Sequence, residues 1–139
     1  MRRAVIVWMG LLAVGCSSSP KQLKQTDLQG QKIEFVAQKE PLLATDTIRF
    51  GRMHEGEIAV KQLVFKNSTP QPIIIKGYER TCGCTTLDHD NQPLMPGEER
   101  AVSLTFDARG AWGWQLKALT LQLAGPVTSH RLVVEADIE

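Results

Sequence analysis

The protein has 139 residues, of which 42% are hydrophobic and 22% are charged, a composition typical of one globular domain with a short appendage. Its formal net charge of +1 gives no electrostatic reason to expect a nucleic-acid partner, and no basic block indicates one. The longest apolar run, Ala4–Val14, is far shorter than the roughly 20 residues that cross a bilayer, so no transmembrane helix is predicted.

The first residues have the features of an export signal, because Arg2 and Arg3 precede the apolar run and small residues lead to Cys16. The sequence Leu-Ala-Val-Gly-Cys at 12–16, followed by serines, resembles the lipobox of bacterial lipoproteins, in which the cysteine is lipidated. The alternative is an ordinary signal peptide that ends near a cysteine. The resemblance predicts a signal peptide over residues 1–15, and a lipidated cysteine with a polar tether over residues 16–42.

A lipid at Cys16 would anchor the protein to a membrane of the bacterial cell envelope. Ser17, which follows the cysteine, is not the aspartate that some bacteria use for inner-membrane retention. We therefore expect the outer membrane, with the protein facing the periplasm.

A short accessory strand is predicted at Ile33–Val36, and from Leu43 onward short apolar stretches alternate with turn signals. The clearest alternation occurs at Val102, Leu104 and Phe106, then at Leu119, Leu121 and Leu123, and finally at Leu132, Val134, Ala136 and Ile138. About seven strands in this space predict an all-β fold, an immunoglobulin-like antiparallel β-sandwich over residues 43–139. His130 is predicted to be an exposed residue in the turn before the last strand.

Cys82 and Cys84 flank Gly83 between two predicted strands. In a flat strand their Cα atoms would be about 6.6 Å apart with parallel side chains, whereas a disulfide needs Cβ atoms at roughly 3.8 Å. Gly83 is the residue best able to kink the backbone and bring the sulfurs together. Three states remain open: a disulfide, two buried thiols, or a thiolate site for a soft metal such as copper(I). A structural pair is favoured over metal binding or redox chemistry.

A copper site at Cys82 and Cys84 would need further ligands, and His54 and His89 are the candidates if the loops bring them near. No histidine stands at a fixed metal spacing, so we expect no cofactor and keep copper as the alternative. The sequence also lacks a Ser-His-Asp order, a paired-carboxylate motif and a phosphate-binding glycine loop. We therefore do not predict an enzyme.

Trp112 and Trp114 flank Gly113 and would point the same way in an extended segment. Paired indoles can stack on a sugar or anchor a peptide, which makes these residues a candidate binding surface. The interpretation we favour is that they cover an end of the sandwich.

Several short motifs occur in a characteristic order, and they are Phe50-Gly51, Glu55-Gly56-Glu57, Phe65-Lys66-Asn67, Cys82-Gly83-Cys84-Thr85, Pro96-Gly97-Glu98 and Phe106-Asp107, with Gly113 and Lys117 after them. Together they resemble the bacterial domain-of-unknown-function family DUF1573, common in envelope lipoproteins. That family is similar to the Hydin-type and major-sperm-protein-like immunoglobulin domains. The resemblance covers residues 43–139 and implies the fold, but it implies no biochemical activity.

Two functions follow from these patterns. The first is a noncatalytic binding or assembly module, anchored by lipid in the cell envelope, that holds an envelope protein at a sheet edge or a loop end. The alternative is a periplasmic copper-binding or thiol-redox protein that uses Cys82 and Cys84.

Overall fold

A computed structural model describes residues 29–37 and 43–139. The predicted signal peptide, Cys16 and most of the predicted tether lie outside these described residues. The described residues form eight strands, and they are β1 (Gln31–Phe35), β2 (Thr45–Met53), β3 (Ile58–Asn67), β4 (Ile74–Arg80), β5 (Thr85–Asp88), β6 (Glu99–Asp107), β7 (Gly113–Ala124) and β8 (Ser129–Ile138). Within the described residues, no helix is long and apolar enough to cross a membrane.

The strands form two packed sheets, which confirms the all-β sandwich. Sheet 1 has the order β1-β3-β6-β5 and sheet 2 has the order β2-β8-β7-β4. Four of the strand pairings are antiparallel, but β1 pairs with β3 and β2 pairs with β8 in parallel. The sheets are therefore mixed, whereas the sequence pattern predicted an antiparallel sandwich. Alternation along a strand reports which face is buried and carries no information about the direction of its neighbour.

The core lies between the inner faces of the two sheets. The alternating apolar residues predicted for β6, β7 and β8 are all buried there, and they are Val102, Leu104, Phe106, Leu119, Leu121, Leu123, Leu132, Val134, Ala136 and Ile138. The intervening residues Thr105 and Gln122 lie on the outer faces and are partly or fully exposed. The predicted faces of these three strands are thus confirmed.

Strand β1 overlaps the accessory strand predicted at Ile33–Val36, although it also lies inside the segment predicted as a tether. Its Ile33 and Phe35 are completely buried, so the sandwich includes residues 31–35. Strand β2 continues to Met53 through a one-residue bulge after Arg49. Gly51 permits this because its φ of 75° lies in the left-handed region.

The prediction that His130 is an exposed turn residue is wrong. His130 lies in β8 with 2% of its surface exposed, and its ring packs edge-on against Phe35 at 5.3 Å between centroids. Its Nε2 is 2.8 Å from the Asp46 carboxylate, while Nδ1 is buried with no hydrogen-bond partner among the described residues. The turn before β8 is shorter than the sequence suggested, which places His130 on the inner face.

Two of the sequence motifs meet at one end of the sandwich. Asn67 is completely buried, and its side-chain Nδ2 donates to the carbonyls of Gln71 at 2.7 Å and Leu94 at 2.8 Å. Its main-chain N–H donates to Glu98, and its carbonyl accepts from the N–H of Gly97 at 2.7 Å. The Lys-Asn and Pro-Gly-Glu motifs therefore hold the β3–β4 and β5–β6 connections together.

Candidate functional site

The Cys82-Gly83-Cys84 segment connects β4, an edge strand of sheet 2, to β5, an edge strand of sheet 1. The structure joins the two cysteines in a disulfide, and their Cα atoms are 5.1 Å apart. This separation is shorter than the roughly 6.6 Å of a flat strand, so the chain is bent at this point. Both cysteine side chains are half-buried.

Hydrogen bonds tie this bend to its surroundings. The carbonyl of Cys84 accepts from the N–H of Asp107 at 2.8 Å, and Thr85 Oγ1 donates to the carbonyl of Cys82 at 3.2 Å. Arg80 Nη1 donates to the carbonyl of Thr85 at 2.7 Å. The segment is thus a tight, well-connected link between the two sheets, and Thr85 is completely buried beneath it.

The structure does not assemble the predicted copper ligands. His54 lies exposed in the turn between β2 and β3, whereas His89 follows the last residue of β5. Strand β5 starts next to Cys84 and rises about 3.3 Å per residue, so it carries His89 toward the opposite end of the sandwich. Across the described ranges, no three side chains of His, Cys, Asp or Glu are grouped so that they could hold one metal ion.

The two tryptophans are exposed, with 73% of Trp112 and 64% of Trp114 accessible to solvent. They therefore do not cover an end of the sandwich, which was the interpretation favoured from the sequence. Strand β7 begins only at Gly113, whose φ of 70° interrupts the extended backbone between the two indoles. Leu116, two residues further along β7, is 58% exposed. We call Trp112, Trp114 and Leu116 the tryptophan face.

Leu116 was not singled out from the sequence as a surface residue. The signal was present, because the predicted inner-face residues Leu119, Leu121 and Leu123 are at odd positions, and the same alternation places Leu116 on the outer face.

Charged residues of β8 and β2 lie beside the tryptophan face. Directly opposed residues of neighbouring strands share a face of the sheet. Trp114 is opposite Asp137, which is opposite Arg52.

The next row repeats this arrangement. Leu116 is opposite Glu135, which is opposite Arg49, and Arg49 Nε donates to Glu135 at 2.9 Å. The outer face of sheet 2 therefore has two rows, each with an apolar, an acidic and a basic side chain in that order.

A shallow depression of about 260 Å³ lies between the two rows. Trp114 forms one wall and the bulge at Gly51 forms part of the opposite wall, with Ala136 between them. The four charged residues of the rows complete the lining. The depression adjoins the tryptophan face at Trp114 and is the candidate ligand site.

A second charged feature lies at the end of β6. Arg109 donates to both carboxylate oxygens of Asp107, through Nε at 2.9 and 3.0 Å. These side-chain hydrogen bonds, with a further one from the Arg109 main chain, lower the pKa of Asp107 from 3.8 to about 2. Asp107 is therefore ionised at any pH at which the protein would function, and it stabilises the turn after β6.

The edge of β2 is protected against strand addition. The carbonyl of Thr47 accepts from Gln31 Nε2 at 2.9 Å, and the carbonyl of Arg49 accepts from Lys61 Nζ. Side chains of β1 and β3 thus occupy main-chain acceptors that an added strand would need. This favours the face of sheet 2 over its β2 edge as the surface for a partner.

The comparisons with known proteins show the fold. A protein of unknown function from Porphyromonas gingivalis W83 superimposes with a TM-score of 0.57 at 18% identity, over 66% of this chain and 43% of that one. This chain thus spans less than half of that protein. The ASH/PapD-like domain 7 of human CEP192 gives a TM-score of 0.52 at 14% identity, over 67% and 80% of the two chains.

The MSP-domain protein SSP-19 of Caenorhabditis elegans gives a TM-score of 0.48 at 11% identity, over 68% and 94%. No curated protein matches the chain. At the sequence level, residues 42–138 match a protein-family model. The chain therefore belongs to the family described as protein of unknown function (DUF1573), as its motifs indicated.

Proposed function

We propose that this protein is a noncatalytic binding or assembly module of the bacterial cell envelope, anchored by a lipid on Cys16, that holds an envelope partner through the tryptophan face. The observation that carries the proposal is the exposure of Trp114 and Leu116 on the outer face of sheet 2, with Trp112 also exposed in the loop immediately before β7. A contiguous group of large apolar residues that is exposed on a domain often marks a binding site.

The chemistry of these residues supports a binding role. Trp and Arg are the residues that contribute most to binding energy at interfaces, and both types are present in the two rows. Indole buries a large area with few rotatable bonds, so ordering it on binding costs little entropy. The same surface offers both apolar area and charges that can orient an envelope partner.

The motifs of the family support a structural role for the rest of the domain. Asn67 and the Pro-Gly-Glu turn lock one end of the sandwich, and the cysteine segment links its two sheets. These positions therefore maintain the fold, and none of them forms a catalytic arrangement within the described residues. The binding function is assigned to the tryptophan face because its side chains stabilise nothing in the core.

The proposal is tested with a chain of residues 17–139, which contains all eight strands and lacks the lipid attachment site. We expect this chain to cosediment with isolated bacterial envelopes. Trp114→Ala should weaken that binding by about thirtyfold, equivalent to roughly 2 kcal/mol for an interface hot spot. Gln122→Ala is the matched control, because Gln122 lies exposed on the same face of the same strand. Equal binding by both variants would refute the assignment.

The disulfide between Cys82 and Cys84 gives the thiol-redox alternative its one supporting observation. Both cysteines are half-buried, and Cys84 packs against the core. The double variant Cys82→Ser, Cys84→Ser should keep the β fold, lose no more than about 3 kcal/mol of stability and bind envelopes as the parent does. A disulfide that closes so short a loop constrains the unfolded chain little. If the reduced parent binds stoichiometric copper and the variant does not, this result would instead support the copper-binding alternative.

A further inference from the structure

We propose that the depression beside Trp114 binds a pyranose ring of an oligosaccharide. This inference rests on the proposed binding function and specifies the chemistry of its ligand. A pyranose has an apolar face of C–H groups and an equatorial belt of hydroxyl groups. The depression offers an indole wall for the first and charged side chains for the second.

The bulge in β2 gives the depression its shape. Arg49 and Arg52 both belong to the outer-face rows, although they are three positions apart, because the extra residue at the bulge shifts the alternation. Gly51 lies between them without a side chain, and a Cβ placed there would meet no atom within 4 Å. The space between the two arginines is therefore open to a ligand.

The accessible surface of the depression is mostly apolar, and the charged side chains around it are what distinguish a sugar from an apolar peptide as its ligand. Arg49 is already paired with Glu135, whereas Arg52 and Asp137 form no salt bridge within the described residues. An apolar side chain bound here would remove water from these charges and return no hydrogen bond. Sugar hydroxyls both donate and accept, so they can accept from the Arg52 guanidinium and donate to the Asp137 carboxylate.

The size of the depression limits how much ligand it holds. Its volume of about 260 Å³ lies below the roughly 300–1,000 Å³ of pockets that enclose drug-sized ligands. One ring therefore occupies the depression, and neighbouring rings of an oligosaccharide extend across the sheet toward Leu116 or Trp112. Both side chains are exposed and can make further apolar contacts. We expect an open site of this kind to bind with a Kd of about 0.1–1 mM.

The first experiment titrates residues 17–139 with cellotetraose and with maltotetraose, whose 1,4-linked rings both carry the vicinal diol at C2 and C3 that periodate cleaves. Tryptophan emission reports directly on the site, because Trp112 and Trp114 are the two tryptophans in this chain and Trp8 precedes it. We expect saturable binding of at least one tetrasaccharide. Trp114→Ala and Arg52→Ala should each weaken it at least fivefold, measured by calorimetry, and Gln122→Ala should leave it unchanged. No binding of either tetrasaccharide would overturn the sugar assignment.

The second experiment separates this inference from the function on which it rests. Isolated envelopes are treated either with protease or with periodate, which cleaves the vicinal diols of sugars, and cosedimentation of residues 17–139 is measured again. The inference predicts that binding survives protease and is lost after periodate. Binding lost after protease and retained after periodate identifies a protein partner, which overturns the sugar assignment and leaves the proposed function intact. No binding to untreated envelopes contradicts the proposed function itself.

Discussion

Asn67→Asp should destabilise the domain strongly although it changes one atom of the side chain. In the structure, Nδ2 of Asn67 donates to the buried carbonyl of Leu94 and to the partly buried carbonyl of Gln71. The substitution replaces this donor by an oxygen that faces both carbonyl oxygens. Leaving a buried acceptor without its donor costs about 1–3 kcal/mol, so two such losses amount to roughly 4 kcal/mol. This is a large part of the 5–15 kcal/mol that stabilises a typical domain.

The assay is urea denaturation of residues 17–139 at pH 8, followed by far-ultraviolet circular dichroism. With an m-value of about 2 kcal/mol per molar urea, the midpoint should fall by about 2 M. Asn91→Asp is the control, because Asn91 is exposed in the loop between β5 and β6, and it should shift the midpoint little.

The pH dependence of the stability of Asn67→Asp provides a second test. The introduced carboxyl is buried against carbonyl oxygens, which raises its pKa in the folded state above the unfolded value of about 3.9. A group whose pKa is higher in the folded state than in the unfolded state stabilises the fold fully at a pH below its unfolded-state pKa. This stabilisation is lost as the pH rises through its folded-state pKa. The variant should therefore regain part of its stability between pH 8 and pH 4 relative to the parent. An Asn67→Asp midpoint equal to that of Asn91→Asp would refute the role given to this side chain.

The remaining predictions concern the core, one ion pair and the anchor. Leu121→Asp should prevent folding because Leu121 is completely buried, whereas Gln122→Asp should be tolerated on the outer face; similar denaturation midpoints would mean that the strand faces are misassigned. Nuclear magnetic resonance titration should give Asp107 a pKa of about 2, and Arg109→Ala should return this pKa toward 3.8. A pKa of Asp107 that is unchanged in the variant would exclude the ion pair with Arg109 as the cause. Cys16→Ala should release the protein from membranes on fractionation, and unchanged partitioning would contradict lipid anchoring.

The sequence predicted the parts of the fold that depend on local alternation. The faces of β6, β7 and β8 follow from residues spaced two apart, since a half-buried strand exposes every second side chain. Parallel pairing could not be predicted in this way, because it depends on how distant segments approach each other. The burial of β1 could not be predicted for the same reason. Its residues are buried only because the strand pairs with β3, which is distant in the sequence.

Polar residues were the least predictable part of the chain. His130 was predicted to be exposed, yet the structure buries it. Asn67 was noted only as part of a motif, and its complete burial was not predicted. What holds Asn67 inside is the convergence of carbonyls from two separate loops, which no spacing in the sequence reveals. The tryptophans showed the reverse error, because large aromatic residues were assigned to cover the sandwich and are exposed instead.

Acrylamide quenching of tryptophan emission tests most directly whether the tryptophan face is the binding surface. In residues 17–139 the emission comes from Trp112 and Trp114, which are both largely exposed, so the free chain should be strongly quenched. When envelopes are added at a concentration that sediments the chain, quenching should fall severalfold because the partner covers the indoles. A chain that sediments with envelopes while its tryptophans stay as accessible to acrylamide as before would contradict the account.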